Sequence, residues 1–576
     1  MYLKQTKTRN GRIYLSITDG YYDRAKKTSR SKTIESLGYL DELEKLYDDP
    51  IAHFSKRVAQ LKLDKKARQA PINFTFYDSD RLCVGDNFRK NFGYAALSRI
   101  YHELGIHTFL TNRQRHSKEE YDANTIMKLL VYARLIAPAS KKSSFDNRGM
   151  FFEKTGYSLD DVYRCLTFLD KHKKNLQICL NDKVKNNYGR DTSLIYYDVT
   201  NYYFESDNQD DFKRKGVSKE HRPNPIVQMG LFMDNNSIPI TYELFAGNTN
   251  DCLTYRPNFG RIKKEFGLGR VISVADKGMT TGDNIWYTIN TPAKDGYVFS
   301  MSVRGADQKM KEFVLKDDGY TWLGTEYKRK SRKYPRTIQV TSQNGKKIKK
   351  TVDEKQVVFW SEKYARRAKA DRAAAITKAK DLAKNPGSYT RATSYGAAKY
   401  VKKIDYDKDT GEILTASSVL ELDEDKLREE EALDGYYVLL TSEMEESDDR
   451  IIDIYRGLWR IEESFRITKS ELDARPVYVW TREHIEAHFL TCFVALTIAR
   501  ILEMKLKKKH SIGTLLESLS KAQCSLVQQN YYLFDYYDDV LKDIGAAMNI
   551  DFSKRIRTLG EIKKVLADTK KVEKTP

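Results

Sequence analysis

Two aspartates of this chain each follow an apolar, strand-like run of residues, and a glutamate far downstream completes a set of three acids. Asp198 follows residues 194–197, Asp276 follows residues 271–275, and Glu462 lies in an amphipathic segment. Carboxylate oxygens are the ligands that Mg²⁺ and Mn²⁺ prefer in proteins. If the fold brings the three acids together, we expect them to hold divalent ions and to act on a phosphodiester bond.

The charge balance of the chain favours a polyanionic partner. The 576 residues include 100 Lys and Arg against 80 Asp and Glu, which gives a net charge of +20. Cationic side chains that neutralise phosphates release condensed counterions, so a basic excess is typical of nucleic-acid binding. A generally basic surface without a nucleic-acid role is the alternative. The hydrophobic fraction of 40% supports folded cores, and the length suggests about three to four domains.

The sequence lacks the patterns of a secreted or membrane protein. The first residues contain no apolar signal segment. The apolar stretch 489–504 is interrupted by Arg500 and is too short to span a bilayer, so it indicates a buried helix. The six cysteines include no Cys-x-x-Cys pair, which argues against a zinc site and a disulfide framework. We expect a cytoplasmic, nucleoid-associated protein with no membrane partner.

The order of strand and helix patterns predicts how the two aspartates are positioned. Strand, strand, strand, helix and strand patterns follow one another over residues 194–203, 226–233, 238–245, 255–266 and 271–276. Three antiparallel strands, a helix and a fourth strand beside the first make a ribonuclease-H-like α/β core. Connection rules place the fourth strand parallel to the first, which brings Asp198 and Asp276 to the same sheet edge.

The rest of the chain is predicted to surround this core. The expected parts are a small α+β module that could contact DNA (1–62), a helical domain for DNA binding or dimerisation (63–190), the first part of the catalytic core (191–305), a β-containing insertion (306–435), the second part of the core (436–510) and a helical tail (511–576). Within the insertion we expect short strands at 320–322 and 337–340, among many basic residues, and a helix at 361–384.

The segment 451–469 predicts a helix that carries the third acid. Tyr455, Glu462 and Lys469 are spaced by seven residues, or two helical turns, so they share one face of a continuous helix. A Glu between a Tyr and a Lys could bind metal while its neighbours hold phosphates. The alternative is an amphipathic surface helix with an ordinary Glu/Lys pair. Trp459 is expected in the core.

These segments together resemble the Asp-Asp-Glu (DDE) transposases of bacterial insertion sequences, in the insertion-sequence-four-like branch. The resemblance covers roughly residues 190–500 and rests on the segments 197–200, 247–251, 274–279, 434–436 and 451–469. The helix pattern of that family is Tyr, two residues, Arg, three residues, Glu, six residues, Lys. Leu458 occupies the Arg position here, so Arg456 or Arg460 would have to supply that charge.

The resemblance implies a metal-dependent enzyme that acts on DNA. Asp198, Asp276 and Glu462 would be catalytic and would hold two Mg²⁺ or Mn²⁺ ions. The partner would be double-stranded DNA, both the element ends and the target, bound by a homodimer. The candidate DNA contacts are Tyr455, Arg456, Arg466, Lys469, His221, Arg222 and Trp322.

Some of these contacts have an ordinary structural alternative. His221 and Arg222 could simply lie on a loop surface, and Trp322 could be a core residue rather than a platform for a displaced base.

Two other functions remain open from the sequence. A structure-specific nuclease of the ribonuclease-H type would cut DNA without joining it, and an assay for strand transfer separates the two activities. A transposase-derived DNA-binding protein would bind DNA without catalysis, although all three acids are present.

Overall fold

The computed structural model describes residues 1–8, 10–23, 28–67, 72–220, 222–389, 394, 396–401, 413 and 422–571. It divides into two compact units, Met1–Val84 and Gly85–Pro576. The second unit contains all three acids of the expected site, so the elements that position them lie within it.

The N-terminal unit packs helices on an antiparallel sheet. Its elements are β1 (Tyr2–Lys7), β2 (Ile13–Asp23), β3 (Thr28–Tyr39), α1 (Leu40–Leu43) and α2 (Pro50–Ala67). Leu15, Leu43 and Phe54 form its apolar core. Helix α2 begins at Pro50, a residue favoured in the first helical turn. It continues past the expected module boundary at residue 62, because no Gly or Pro interrupts it there.

The next part of the chain is mainly helical. Its elements are β4 (Arg89–Asn91), α3 (Tyr94–Glu103), α4 (Ile106–Gln114), α5 (Ala123–Ile136), α6 (Lys141–Asp146) and α7 (Leu159–Tyr188). The long helix α7 starts at a capping box, in which Ser158 and Asp161 each bind the other's backbone N–H. Apolar faces of α5 and α7 enter the large core that also covers one face of the central sheet.

The central sheet contains the expected arrangement of strands. Its first elements are β5 (Leu194–Tyr203), β6 (Ile226–Asp234), β7 (Pro239–Ala246), α8 (Asp251–Glu265), β8 (Ile272–Ala275), α9 (Gly282–Ile289) and β9 (Gly296–Met301). Strands β5, β6 and β7 are antiparallel neighbours. Strand β8 lies parallel to β5, with Tyr197 opposite Ala275. The residues after this pair, Asp198 in β5 and Asp276 just beyond β8, are therefore level with each other.

The strand predicted over residues 194–203 is confirmed, so Asp198 ends an apolar run but lies inside strand β5 and not at its end. Strand β5 continues for five residues beyond Asp198, to Tyr203, and stays paired with β6 over that length. The extension contains Val199, Thr200 and Tyr202, residue types that favour strands. Asp276 does directly follow its strand, because β8 ends at Ala275.

Residues 306–435, which the sequence predicts to be an insertion, contribute strands to the same sheet. Its elements are α10 (Gln308–Leu315), β10 (Thr321–Trp322), β11 (Tyr327–Thr341), β12 (Lys347–Ser361), α11 (Glu362–Lys384) and α12 (Glu424–Ala432), followed by β13 (Tyr436–Thr441). In the described part of the chain the strand order is β10-β11-β12-β13-β9-β8-β5-β6-β7. The second part of the core thus joins the insertion hairpin to β9.

The strands of the insertion are longer than the sequence predicts. Strands β11 and β12 are each 15 residues long, where short strands were expected. The many basic residues of β11 obscure its strand pattern in the sequence. In the structure, their charged side chains lie against aromatic rings. Lys330 Nζ lies 4.1 Å from the centre of the Tyr320 ring, and the Arg332 guanidinium lies 3.9 Å from that of Phe313.

The expected continuous helix at 451–469 is broken in two. The structure contains α13 (Asp448–Arg456) and α14 (Trp459–Lys469), separated at Gly457. A Cβ atom at Gly457 would lie 2.2 Å from Tyr196 Oη, so only glycine fits against this tyrosine of β5. The spacing of seven residues therefore does not place Tyr455 on the helix of Glu462 and Lys469.

Helix α15 (Arg482–Lys505) lies at the centre of the second unit. By length and composition it could cross a membrane, but its apolar window is fully buried inside the protein. It packs on α7, α5 and α3 and on strand β7. The expected buried helix at 489–504 is present and is longer at its N-terminal end.

The C-terminal part, expected to be a helical tail, also contains strands. Its elements are α16 (Ile512–Lys521), β14 (Gln523–Gln528), β15 (Tyr531–Phe534), α17 (Asp539–Met548), β16 (Ile556–Thr558) and α18 (Leu559–Asp568). Strand β14 pairs with β4, with Gln523 opposite Asn91. These strands are short, and the partner of β14 lies more than 400 residues upstream, so no local pattern predicts the pairing.

Candidate active site

The two aspartates leave the sheet on the same face. Along β5, Tyr196 and Tyr202 enter the core that contains α14 and α15, whereas Tyr197 enters the core under α8. Because side chains alternate along a strand, Asp198 shares the face of Tyr196 and Tyr202. Asp276 follows by two residues Val274, which lies in the same core as Tyr196. Both carboxylates thus face the side on which α14 carries Glu462.

Asp198 lies half-buried beneath a cationic side chain. One carboxylate oxygen accepts a hydrogen bond of 2.7 Å from the backbone N–H of Val199. Lys219 donates to the carbonyl oxygen of Val199. Burial raises the pKa of Asp198 to about 6, with Asp276 and Glu462 raising it further and Lys219 opposing the shift. The site therefore places negative charges close enough to disfavour one another.

Asp276 is held by two hydroxyl groups. Ser300 Oγ donates to Asp276 Oδ1 over 2.8 Å, and Tyr455 Oη donates to the same oxygen over 3.2 Å. Ser300 lies on the neighbouring strand β9, and Tyr455 lies at the end of α13. Both bonds hold Asp276 Oδ1, and neither involves the second carboxylate oxygen.

Glu462 lies in an open cavity of about 940 Å³ that Asp276 also lines. The pKa of Glu462 is raised, first by burial and then by the charge of Asp276. The adjacent Glu463 points elsewhere, because its carboxylate lies 2.9 Å from Arg500 of α15. Of the two neighbouring glutamates, Glu462 is the one directed at the aspartates.

The three carboxylates lie in one region of the structure, but their oxygens do not converge on a common position. Within the described residues, no three His, Cys, Asp or Glu side chains lie close enough together to hold a metal ion. Like charges without a cation between them repel one another, which opposes such a closed cluster. All three candidates nevertheless present hard oxygen ligands of the type that Mg²⁺ and Mn²⁺ bind.

The expected DNA contacts on α13 and α14 divide into two groups. Arg456 lines the cavity with Glu462, whereas Arg460 does not line it and donates a hydrogen bond of 3.1 Å to the carbonyl oxygen of Asn235. Arg456 is thus the neighbour of Leu458 whose charge reaches the cavity. Tyr455 is bound to Asp276, so it positions an acid in this structure.

Lys469 lies near Asp198, but its ammonium group forms an ion pair with a different carboxylate. Its Nζ lies 2.9 Å from Glu220 Oε1, and Arg475 contacts the same oxygen. Burial and the neighbouring Lys219 lower the pKa of Lys469 to about 8, and Asp198 opposes that shift. Two cations therefore share one anion directly beside the acids.

The remaining candidates lie away from the cavity wall. Arg466 is exposed, 3.8 Å from Glu463 and 3.9 Å from Glu471. Arg222 stacks on Tyr203 at 4.2 Å. His221 lies outside the described residues.

The structure exposes both Trp322 and Trp459. Trp322 is 52% exposed on the short strand β10, so the alternative of a core position is wrong. Trp459 was expected in the core but is 55% exposed and lines the cavity. It is the first residue of α14, just after Gly457.

Some residues of this region give no signal in the sequence. Lys219 and Glu220 lie in a loop, and Arg367 lies on α11 of the insertion, where it faces the cavity. The sequence contains many charged residues like these three. Only the tertiary contacts show that these three lie near the acids.

A family model described as the transposase DDE domain matches residues 190–498, which is more than half of the chain and includes all three acids. The chain belongs to the DDE transposase family. A second model, the N-terminal domain of IS1634 family transposases, matches residues 3–71. The protein is therefore a transposase of a bacterial insertion sequence, an enzyme class that cleaves DNA and transfers its strands.

The expected insertion-sequence-four-like branch is wrong, because the N-terminal match is to the IS1634 family, which is not that branch. The motifs that carried the resemblance lie in the catalytic part, whereas the match that identifies the branch lies in the first 71 residues.

Other comparisons add little for this transposase. No match was found among curated proteins. Among solved structures, a piggyBac transposase synaptic complex with hairpin DNA shares 7% identity at a TM-score of 0.35, over 84% of this chain and 86% of that chain. A Mos1 transposase paired-end complex with the left transposon end shares 14% identity at a TM-score of 0.11, over 31% of this chain and 55% of that chain. At these TM-scores neither likeness supports a statement about this transposase.

Proposed function

We propose that Asp198, Asp276 and Glu462 form the catalytic site at which this transposase cuts the ends of its element and joins them to target DNA. The observation that carries the proposal is the placement of the two aspartates. Asp198 lies in β5 and Asp276 directly follows the parallel neighbour β8, so the two are level with each other on the face covered by α14. Glu462 lines the same cavity as Asp276.

The three carboxylates would hold two Mg²⁺ or Mn²⁺ ions. Such ions, when bound, activate the attacking water or 3′-hydroxyl and stabilise the leaving oxygen. The hydroxyls of Ser300 and Tyr455 orient Asp276 for this task. Lys219 limits the negative charge around Asp198 before the cations arrive.

DNA recognition is proposed to extend over both units. Arg456 and Lys469 are the contacts that the geometry favours, since each lies beside the acids. The element ends and the target would be double-stranded DNA, and a homodimer would pair two ends. The helical segment after residue 85 would bind DNA or dimerise, and the N-terminal unit would contribute DNA contacts.

The decisive experiment is a combined cleavage and strand-transfer assay. Purified transposase is incubated with DNA carrying an element end, a supercoiled target plasmid and Mg²⁺ or Mn²⁺. Cleavage with joining supports the proposal. Cleavage without joining would indicate a nuclease of the ribonuclease-H type, and DNA binding without nicking would indicate a protein that has lost catalysis.

Divalent cations are expected to stabilise the folded protein. A ligand that binds only the folded state stabilises that state by about 2.7 kcal/mol when its free concentration is 100 times the dissociation constant. We therefore expect Mg²⁺ or Mn²⁺ to raise the melting temperature of the wild type. The gain should be smaller in Asp198→Asn. The Asp207→Asn variant, which changes an exposed loop residue, should show the same gain in melting temperature as the wild type.

The pH dependence of this gain follows from Asp198. Its pKa in the folded protein, about 6, is above the ordinary value of 3.8 because the carboxyl is buried. Folding thus favours the protonated form of Asp198 in this window, and the contribution of Asp198 to the stability of the metal-free protein falls as pH rises from 3.8 to about 6. The cation must displace that proton, so the gain in melting temperature should shrink below pH 6. An equal gain at pH 5 and pH 7.5 would contradict the placement of Asp198 in the cation site.

Lys469→Ala is expected to weaken DNA binding. Loss of one phosphate contact should lower the slope of log K against log salt by about one. Lys571→Ala removes a surface lysine 2.7 Å from Asp568 and serves as the control. Affinities measured over a salt series decide the question, and an unchanged slope would mean that Glu220 keeps Lys469 occupied when DNA is bound.

A further inference from the structure

The cavity beside the acids is lined by cations with different partners. In the described part of the chain, those cations are Lys277, Arg304, Arg367, Arg372, Lys399 and Arg456. Several of them are neutralised by the acids at the end of α12 and by Asp434. Arg304 lies 2.9 Å from Asp434, Arg372 contacts Asp434 and Glu431, and Lys399 lies 2.9 Å from Glu430.

Arg367 keeps its charge exposed to the cavity. Its side chain is 80% exposed, and the ion pair that it makes with Asp371, one helical turn away, spans 3.9 Å. An exposed pair of this kind contributes little and is easily exchanged for another anion. Arg367 is thus a cation of the cavity wall without a strong internal partner among the described residues.

The helix α11 directs Arg367 towards the acids. Tyr364, Arg367, Ala368, Asp371 and Ala375 line the cavity, at the spacing of one helical face. Glu462 and Asp276 line the same cavity as Arg367.

The neighbouring Arg366 differs in its direction and in its partner. It does not line the cavity and lies 2.6 Å from Glu362 at the start of α11. The two arginines have the same chemistry, the same helix and similar exposure, which makes Arg366 a matched control.

We propose that Arg367 binds a backbone phosphate of the DNA strand that enters the cavity and so positions the scissile phosphodiester against the acids. A guanidinium can donate two parallel hydrogen bonds to a phosphate, which fixes orientation as well as distance. The insertion then supplies one wall of the substrate site, and the core supplies the other. This inference rests on the proposed function, since it needs DNA at the three acids.

The test compares Arg367→Ala, Arg367→Lys and Arg366→Ala in the full-length protein. Arg367→Ala should cut an element end roughly 10- to 100-fold more slowly, the effect of losing a charge-assisted hydrogen bond. Its salt slope for DNA binding, measured with Ca²⁺, should fall by about one. Arg367→Lys should recover the slope but only part of the rate, because an ammonium lacks the fork. Arg366→Ala should stay within about twofold of the wild type in rate.

A second measurement locates the phosphate. Neutral methylphosphonates are placed one at a time around the cleavage position of the DNA. At the phosphate that Arg367 binds, the substitution should slow the wild type but should slow Arg367→Ala no further. A merely structural role would leave both proteins equally sensitive at every position and would overturn the proposal.

The two proposals fail in distinguishable ways. Arg367→Ala that matches Arg366→Ala in rate and salt slope overturns the role of Arg367 while cleavage by the three acids stands. If the wild type binds DNA but does not cut it, the proposed catalytic function fails, and the salt slopes of the arginine variants still decide whether Arg367 meets a phosphate.

Discussion

Replacement of Asp198, Asp276 or Glu462 by Ala is expected to lower metal-dependent DNA cleavage by about a thousandfold or more. Each change removes a ligand from the cation site, and a thousandfold loss corresponds to about 4 kcal/mol of transition-state stabilisation. DNA binding should remain largely intact, because the acids repel phosphates and contribute no attraction of their own. The loss should therefore appear in the cleavage rate and not in the affinity.

The measurement is cleavage of an end-containing DNA under single-turnover conditions, with affinity determined separately. Asp207→Asn, an exposed acid in the loop after β5, is the control and should cut like the wild type. Robust cleavage by Glu462→Ala would remove Glu462 from the site. Glu463 would then have to leave Arg500, which lies 2.9 Å away in this structure, to take its place.

Arg500→Ala is expected to destabilise the second unit by roughly 3–5 kcal/mol, the usual effect of breaking a buried ion pair. Arg500 is 3% exposed and binds Glu463 and Glu503, each at 2.9 Å. It also binds Ser464 Oγ at 2.7 Å and the carbonyl oxygen of Arg460. It thus ties α15 to α14, the helix of Glu462, so cleavage should fall together with stability.

Urea denaturation and limited proteolysis follow this loss of stability. Arg466→Ala, which changes an exposed arginine of α14, should alter stability by less than about 0.5 kcal/mol. Arg500→Met combined with Glu463→Gln should be more stable than Arg500→Met alone, because it leaves one buried charge fewer without a partner. Equal stability of these two variants would contradict an electrostatic role for the pair of Arg500 and Glu463.

The sequence by itself determined the family and the order of the core elements. Strand patterns before Asp198 and Asp276, with a hairpin and a helix between them, predicted the parallel pairing that is observed between β5 and β8. This succeeded because strand alternation and connection rules are local or nearly local properties. The branch could not be inferred in the same way, because the motifs came from the catalytic part and the identifying match lies in residues 3–71.

Only the tertiary structure decided which side chains face the acids. The expected helix tightens into a turn of i→i+3 hydrogen bonds at Gly457, and Tyr196 of a distant strand packs there in the space that a Cβ atom would need. Glu463 is withdrawn by Arg500, which leaves Glu462 to the cavity. Arg367 reaches the same cavity from the insertion. Each of these outcomes depends on a contact between residues far apart in the chain, and periodicity within one segment contains no information about such a contact.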